Sequence, residues 1–449
     1  MAQAGSVSVN TPTQAPPVSH TYRRYVLALL FVSYTLNYLD RQVITILAEP
    51  LKTELGISDT QLGLLTGLAF GLVYCSLGLP IARLADRFNR IWILGASLTV
   101  WSACTILCGR AASFPALVAA RVGVALGESG AGPVSMALIS DYVPKEKRAS
   151  ALALFTMGAP VGGLLGLVFG GMIAGAFGWR AAFLIAGLPG LVLALIVLAT
   201  LREPRNLLPA QMGIRPATDH PPLRLVFAHI RTSRTFWFMC LGAGFASLIS
   251  YGQAPFLAAF FLRVHGAELA AFGAPYGLKP VGVVGIGIGL IWGVFGAISN
   301  WLGGFIADRY VARDLRIYGA APAIAALLPI PFTVAAVLVP SPFVALLLLM
   351  PGYLCGGVWF GPVLSSVQGL VPPAMRATSG AVAILVINII GLGFGALTIG
   401  KLSDIFNYSV GLGAAEGVRW ALVVCAFFGL IPALLFWMSR STIRAEMIS

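Results

Sequence analysis

About 12 stretches of this 449-residue chain each approach the roughly 20 apolar residues that a helix needs to cross about 30 Å of hydrocarbon. That pattern leaves few alternatives to a bundle of membrane-spanning helices. The expected spans are 25–47, 61–82, 91–108, 114–139, 149–174 and 179–201, then 236–262, 281–306, 318–339, 342–370, 378–401 and 419–438. Composition agrees: with 58% hydrophobic residues, 10% charged residues and a mean hydropathy of +0.89, the chain cannot cover itself with a water-soluble surface.

Residues 1–22 have no basic start and no apolar run, and Pro12, Pro16 and Pro17 lie among polar residues, so they read as a disordered tail. All six cysteines (Cys75, Cys104, Cys108, Cys240, Cys355, Cys425) fall inside apolar stretches, where a free thiol is a small hydrophobe. No disulfide framework and no metal site is expected. The net charge of +13 does not point to nucleic acid, because the basic residues are sorted by side. With the N-terminus in the cytoplasm, about 20 of the 29 lysines and arginines fall on that side, against about 7 opposite, which places both termini in the cytoplasm.

Two halves are expected, 23–201 and 235–439, joined by a cytoplasmic linker at 202–234 and followed by a tail at 440–449. In the linker, Leu223, Leu225, Val226 and Ile230 alternate with Arg224, His229 and Arg231, a pattern for a short helix on the membrane surface. The halves repeat short signatures. Ala85-Asp86-Arg87 returns as Ala307-Asp308-Arg309, Gly132-Pro133 as Gly361-Pro362, and the segment from Pro144 to Arg148 as that from Pro372 to Arg376, at nearly one offset.

The segment Ala82-Arg83-Leu84-Ala85-Asp86-Arg87-Phe88-Asn89-Arg90, the stretch from Arg121 to Gly127 and the run Gly178-Trp179-Arg180-Ala181-Ala182-Phe183 resemble the major facilitator superfamily over nearly the whole chain. Ala82 and Asn89 stand where the signature loop usually has Gly, and Asn tolerates the left-handed backbone. The resemblance implies an all-α integral membrane fold of twelve transmembrane helices in two pseudo-symmetric six-helix halves, with substrate near the midplane between them. It also implies gating by Asp86, Arg87, Arg90, Asp308 and Arg309 as the halves rock.

Four ionisable residues lie deep in expected spans: Asp40 and Arg41 in the first, Arg121 and Glu128 in the fourth. At roughly 2.5–3.5 kcal/mol each, they would together cost on the order of 10 kcal/mol if left unpaired. Arg121 and Glu128, seven apart, share a helix face, while adjacent Asp40 and Arg41 diverge by about 100°. One of that pair can therefore bond locally while the other faces the cavity. A static ion-pair cluster is the structural alternative, though buried ion pairs are weak stabilisers. In the functional reading Asp40 and Glu128 exchange protons. Desolvation raises a carboxylate's pKa and a nearby guanidinium lowers it, so opening a cavity can move it across neutral pH. All four histidines (His20, His220, His229, His265) lie outside the spans, which disfavours a histidine relay. Arg41, Asn37, Tyr38 and Arg121 are the expected substrate ligands, since an amide and a guanidinium four residues apart suit an anionic oxygen.

The second half supplies no deep charge. Its expected cavity aromatics are Tyr251, Phe256, Tyr353 and Trp359, each of which alone also fits plain packing. A charged wall facing an aromatic one suits an amphipathic anion. Glycines 158, 162, 166 and 170, spaced by four, let the fifth span approach a neighbour closely.

The run Asn37-Tyr38-Leu39-Asp40-Arg41 together with Glu128 is similar to the spinster family of lysolipid and sphingoid-phosphate transporters; the same pair with a helix-four Glu also resembles proton-coupled sugar-acid symporters. The expectation is a transporter and not an enzyme, in a bacterial inner membrane, monomeric, with protons as coupling ion and no other cofactor. Its partners would be a lysolipid or an amphipathic anionic small molecule and the surrounding membrane lipids.

Overall fold

The computed structural model describes residues 19–144, 147–204, 223–311 and 313–447, leaving aside the side chains of Leu79, Ala82, Asp86, Ala149, Leu223 and Ala377. The expected tail falls largely outside the described residues, and from His20 the chain is already helical. Among the described residues eleven helices are long and apolar enough to cross a membrane. In chain order they are α2 (Asp59–Ala85), α3 (Arg90–Arg110), α4 (Phe114–Tyr142), α5 (Ser150–Phe177), α6 (Trp179–Thr200), α7 (Arg234–Val264), α8 (Pro280–Val311), α9 (Ile317–Leu338), α10 (Pro342–Gly369), α11 (Thr378–Ser409) and α12 (Ala414–Glu446). The twelfth is α1 (His20–Ile46), which fails on composition because it carries buried Asn37 and Asp40 along with Arg41. Its polarity is the signature of the site it builds.

Sharp turns keep the helices antiparallel. α1 passes into a short helix, Ala48–Leu55, which ends on left-handed Gly56 (φ 61°). α2 then begins with a capping box, the Ser58 hydroxyl accepting from Gln61 N while the Gln61 side chain accepts from Ser58 N. Asn89 corrects the sequence reading: its backbone is extended (φ −64°, ψ 119°), and its side chain accepts from the amides of Ile91 and Trp92 as the N-cap of α3.

Both chain ends lie on one face. Tyr25 Oη is 2.8 Å from Thr200 Oγ1, joining the start of α1 to the end of α6, and Glu446 accepts from Ser233 Oγ at 2.6 Å, joining the end of α12 to the start of α7. This is called the terminal face below, and its opposite the far face. The linker helix Leu223–Thr232 forms, but it packs on the protein. Val226 and Ile230 are buried against the terminal ends of α7, α10 and α11, while Leu225 and Phe227 stay exposed.

Glycine explains how α5 works. A Cβ at Gly162 would lie 2.1 Å from the Thr35 carbonyl oxygen of α1, and one at Gly171 would lie 2.6 Å from the Val281 carbonyl oxygen of α8. One side of α5 therefore closes the first half and another side meets the second half. α11 is its counterpart, packing on α7 within its own half and on α2 across the divide, where a Cβ at Gly63 would lie 2.3 Å from the Ala396 carbonyl oxygen. Wider π-helical turns interrupt α2 at Leu64–Leu68, α8 at Ile291–Phe295 and α11 at Ile389–Gly393, three of the four helices that carry most of the contact between halves. The main cross-half contacts run from the far face to about mid-span: Gly63 to Gly71 of α2 against α11, and Gly163 to Gly175 of α5 against α8. Toward the terminal face the described residues show no such close approach between these four helices, and Arg87 just past α2 and Asp308 and Arg309 of α8 are exposed, which marks the space between the halves.

Candidate functional site

The centre of the first half holds the deep charges. Glu128 is fourteen residues from either end of α4 (Phe114–Tyr142), or about 21 Å at 1.5 Å per residue. Its Oε2 accepts from Arg41 Nε at 2.6 Å, with the Glu128 side chain fully buried and the Arg41 side chain 11% accessible. Arg41 faces the inter-half space from among rings. Its guanidinium carbon is 4.4 Å from the centroid of Tyr74 and 5.2 Å from those of Tyr38 and Phe70. Each such contact is worth about 0.5–2 kcal/mol, so the rings hold the guanidinium in place without using its hydrogen-bond donors. Its two terminal nitrogens form no hydrogen bond among the described residues.

Asp40 points the other way, as the 100° divergence requires. It is buried between α1 and α3, where Oδ2 accepts from Thr105 Oγ1 at 3.0 Å. Arg121 lies 4.9 Å from the Phe70 centroid and within electrostatic reach of both carboxylates. The structure thus brings together all four deep charges, with Asn37 and Tyr38 beside them. Among the described residues several of their atoms make no well-formed hydrogen bond, namely Asn37 Nδ2, Asp40 Oδ1, Arg121 Nε and Glu128 Oε1, although Asn37 lies close enough to the Glu128 carboxylate to favour its charge.

The expected aromatic wall divides. Tyr251 of α7 is in electrostatic reach of Arg41, Tyr38 and Tyr74, so it faces the cluster from the second half. Half-buried Tyr353 packs against the larger core, and Trp359 against a smaller one that includes the linker helix. Phe256 does not line the cavity. It is fully buried in the far-face seal, with a ring carbon 3.1 Å from where a Gly400 Cβ would lie. A side chain wrapped by α7 and α11 has no face left for solute.

Among the described residues, the expected gating groups Arg87, Asp308 and Arg309 make no contact that joins the halves. Arg90 is buried within the first half, its side chain on Asp141 and its backbone amide on Glu203 Oε2 at 2.6 Å. Arg87, Asp308 and Arg309 are exposed where the terminal ends part, with Arg309 over the Phe305 ring. The Asp86 side chain lies outside those described.

What the sequence reading missed is a charge network at the far face. Asp59, at the first turn of α2, is buried; its carboxylate accepts from Arg263 NH1 and NH2 at 2.8 and 2.7 Å, from Lys52 Nζ at 2.7 Å and from Ser403 Oγ at 2.7 Å. Arg263 also donates through Nε to Glu49 Oε2 at 2.7 Å. Asp404 of α11 accepts from Thr60 N at 2.8 Å, Thr60 Oγ1 at 2.6 Å and Asp59 N at 3.1 Å. A carboxylate of the second half therefore caps the positive end of a helix of the first. Glu49, Lys52, Asp59 and Thr60 come from one half; Arg263, Ser403 and Asp404 come from the other.

The family model described as Major Facilitator Superfamily matches residues 30–396. An MFS-type efflux pump of Mycolicibacterium smegmatis is 32% identical over 414 residues, covering 92% of each chain. The crystal structure of a bacterial homologue of the human lysosomal transporter Spinster, inward-facing and unoccupied, is similar at a TM-score of 0.86 and 32% identity, over 96% of this chain and 100% of that one. A probable galactarate/D-glucarate transporter of Bacillus subtilis is 30% identical over 190 residues, 41% of this chain and 42% of that one.

Proposed function

The chain belongs to the Major Facilitator Superfamily, as a multi-pass membrane transporter of the Spinster type and not an enzyme, and on that premise we propose that it moves an amphipathic anion, a lysolipid in the first instance, coupled to protons. The observation that carries this reading is the Arg41–Glu128 pair. Arg41 offers two terminal nitrogens toward the inter-half space, while its Nε is held by a carboxylate that can take a proton. A phosphate or carboxylate head would accept from that fork. Tyr251 and the half-buried aromatics of α10 would face the apolar part of the solute.

Charge count links head group to proton. With Asp40 and Glu128 ionised, Arg41 and Arg121 balance them and the cluster is neutral. One proton on either carboxylate leaves a charge of +1, which a bound monoanion cancels. Anion and proton therefore favour each other's binding, and by linkage the effect is reciprocal. No cofactor beyond the proton is required. The basic-residue bias puts the terminal face in the cytoplasm of a bacterium, so the arrangement described, sealed at the far face and parted at the terminal face, would be the inward-open state.

Transport of a small sugar acid is the second reading, favoured by the similarity to the galactarate/D-glucarate transporter over part of the chain. Flux into proteoliposomes under an imposed pH gradient separates the two, with a labelled lysophospholipid in one arm and labelled glucarate in the other. Lysophospholipid flux that depends on Glu128, tested with Glu128→Gln, supports the first reading. Glucarate flux alone moves the protein to the second, and gradient-independent flux in both arms removes the proton.

A further inference from the structure

We propose that Thr105 is the positioning residue for Asp40: it holds Oδ2 of the carboxylate and so makes Oδ1 the atom that takes the proton when Asp40, rather than Glu128, carries it. This rests on the reading of Asp40 as a proton carrier and adds to it a residue on a helix, α3, that contributes none of the four deep charges.

The geometry is specific. Asp40 is 2% accessible, and among the described residues its only hydrogen-bond donor is the Thr105 hydroxyl at 3.0 Å, itself 1% accessible. Oδ1 is buried without any partner. A buried carboxylate oxygen with no donor is costly when charged and comfortable when protonated, so the two oxygens of one side chain are chemically unequal. The groups that face Asp40 are few. Arg121 and Glu128 reach it from α4 and Cys108 from α3, while Asn37 and Arg41 flank it on α1. α5 carries no ionisable residue, and Arg180, the one in α6, is taken up by Glu54. Thr105 alone gives the carboxylate a fixed orientation.

When Asp40 is ionised, Thr105 donates to Oδ2 and stabilises the charge. When a proton arrives on Oδ1, Oδ2 becomes the carbonyl oxygen and keeps the same donor. The hydroxyl thus serves both states without turning, and the charge changes while the geometry does not.

Infrared difference spectroscopy of the whole protein in lipid, titrated with pH, reads this without any substrate. The carbonyl stretch of protonated Asp40 is identified as the band that Asp40→Asn removes. Thr105→Val is expected to move its titration midpoint upward by about one to two pH units, the worth of one hydrogen bond to a charged group. The band itself should move to higher frequency, because its carbonyl has lost a donor. Thr105→Ser, which restores the hydroxyl, should return both to wild type, and Thr105→Ala replaces the valine variant if that misfolds. An Asp40 band that titrates in wild type but keeps its midpoint and frequency in Thr105→Val and Thr105→Ala overturns the role of Thr105 and leaves proton carriage standing. If no band titrates with Asp40 in the wild type, proton carriage by Asp40 fails and the proposal with it. A merely structural role would lower the melting temperature without moving the band.

Discussion

Two buried aspartates set the two charged regions apart. Asp59 accepts from Lys52, twice from Arg263 and from Ser403, while Asp40 accepts from Thr105 alone and leaves Oδ1 without a partner. The same contrast runs through their neighbours. Asn37, Arg121 and Glu128 each keep a buried polar atom unpaired, whereas none of Glu49, Lys52, Asp59, Arg263 or Asp404 does. An unmade buried hydrogen bond costs about 1–3 kcal/mol, so a constellation that carries several is ready to change its proton or ligand content. A satisfied network has no such incentive. Its members also come from both halves, whereas the four deep charges belong to one. The far-face network therefore holds a conformation, and the central cluster responds to its contents.

The largest effect that tests this division is expected from Arg263→Ala. Removing one partner of a buried ion pair costs about 3–5 kcal/mol, here charged against the sealed state alone. The balance between far-face-closed and far-face-open forms should shift by more than a hundredfold, read from distances between spin labels at the far ends of the two halves. Unchanged distances would mean that apolar contact alone makes the seal.

Arg41→Ala should leave that balance nearly alone and lower the affinity for anionic ligands by about 10- to 100-fold, the worth of a charge-assisted hydrogen bond or two. Zwitterionic ligands should lose less. In the wild type the anion affinity should rise as pH falls, by at most about tenfold per unit while one proton is taken up, and Glu128→Gln should flatten that slope. An affinity that falls with falling pH would mean that proton and anion compete, which reverses the coupling.

The fold was legible because its cause is one-dimensional. Twelve apolar stretches and a repeated Ala-Asp-Arg signature need no tertiary knowledge, and the convergence of Asp40, Arg41, Arg121 and Glu128 follows from the cost of burying charge in a span. The pairing within that group was less legible: helical divergence says that Asp40 and Arg41 part, but not that Thr105 waits on α3. The far-face network was missed for a related reason. Asp59, Arg263 and Asp404 lie one to three residues beyond the expected spans 61–82, 236–262 and 378–401. A charge at that position reads as solvated unless it is known which helix ends meet. Phe256 failed in the opposite direction, since an aromatic on a cavity-forming helix says nothing of depth, and Gly400 opposite it is what makes room for burial.

Two weaker variants sharpen the contrast between a charge that joins the halves and one that does not. Asp404→Asn keeps one acceptor oxygen at the start of α2 but turns the other into an NH2 donor and removes the charge, which at a partly buried helix N-terminus is worth about 0.3–2 kcal/mol. The closed-to-open ratio should fall severalfold, well short of Arg263→Ala. Glu54→Gln should do least of all. Glu54 is an exposed far-face carboxylate held below its usual pKa by hydrogen bonds from Arg180 and Trp179, yet all three belong to the first half. A depressed carboxylate pKa stabilises above the unfolded value and loses that contribution as pH falls through the folded one. Exposure to solvent screens the contribution, so only a slight drop in melting temperature is expected at neutral pH, with no change in the label distances. A shift in those distances as large as that of Arg263→Ala would show that charge anywhere on the far face sets the conformation, and the distinction between joining and merely decorating the halves would fall.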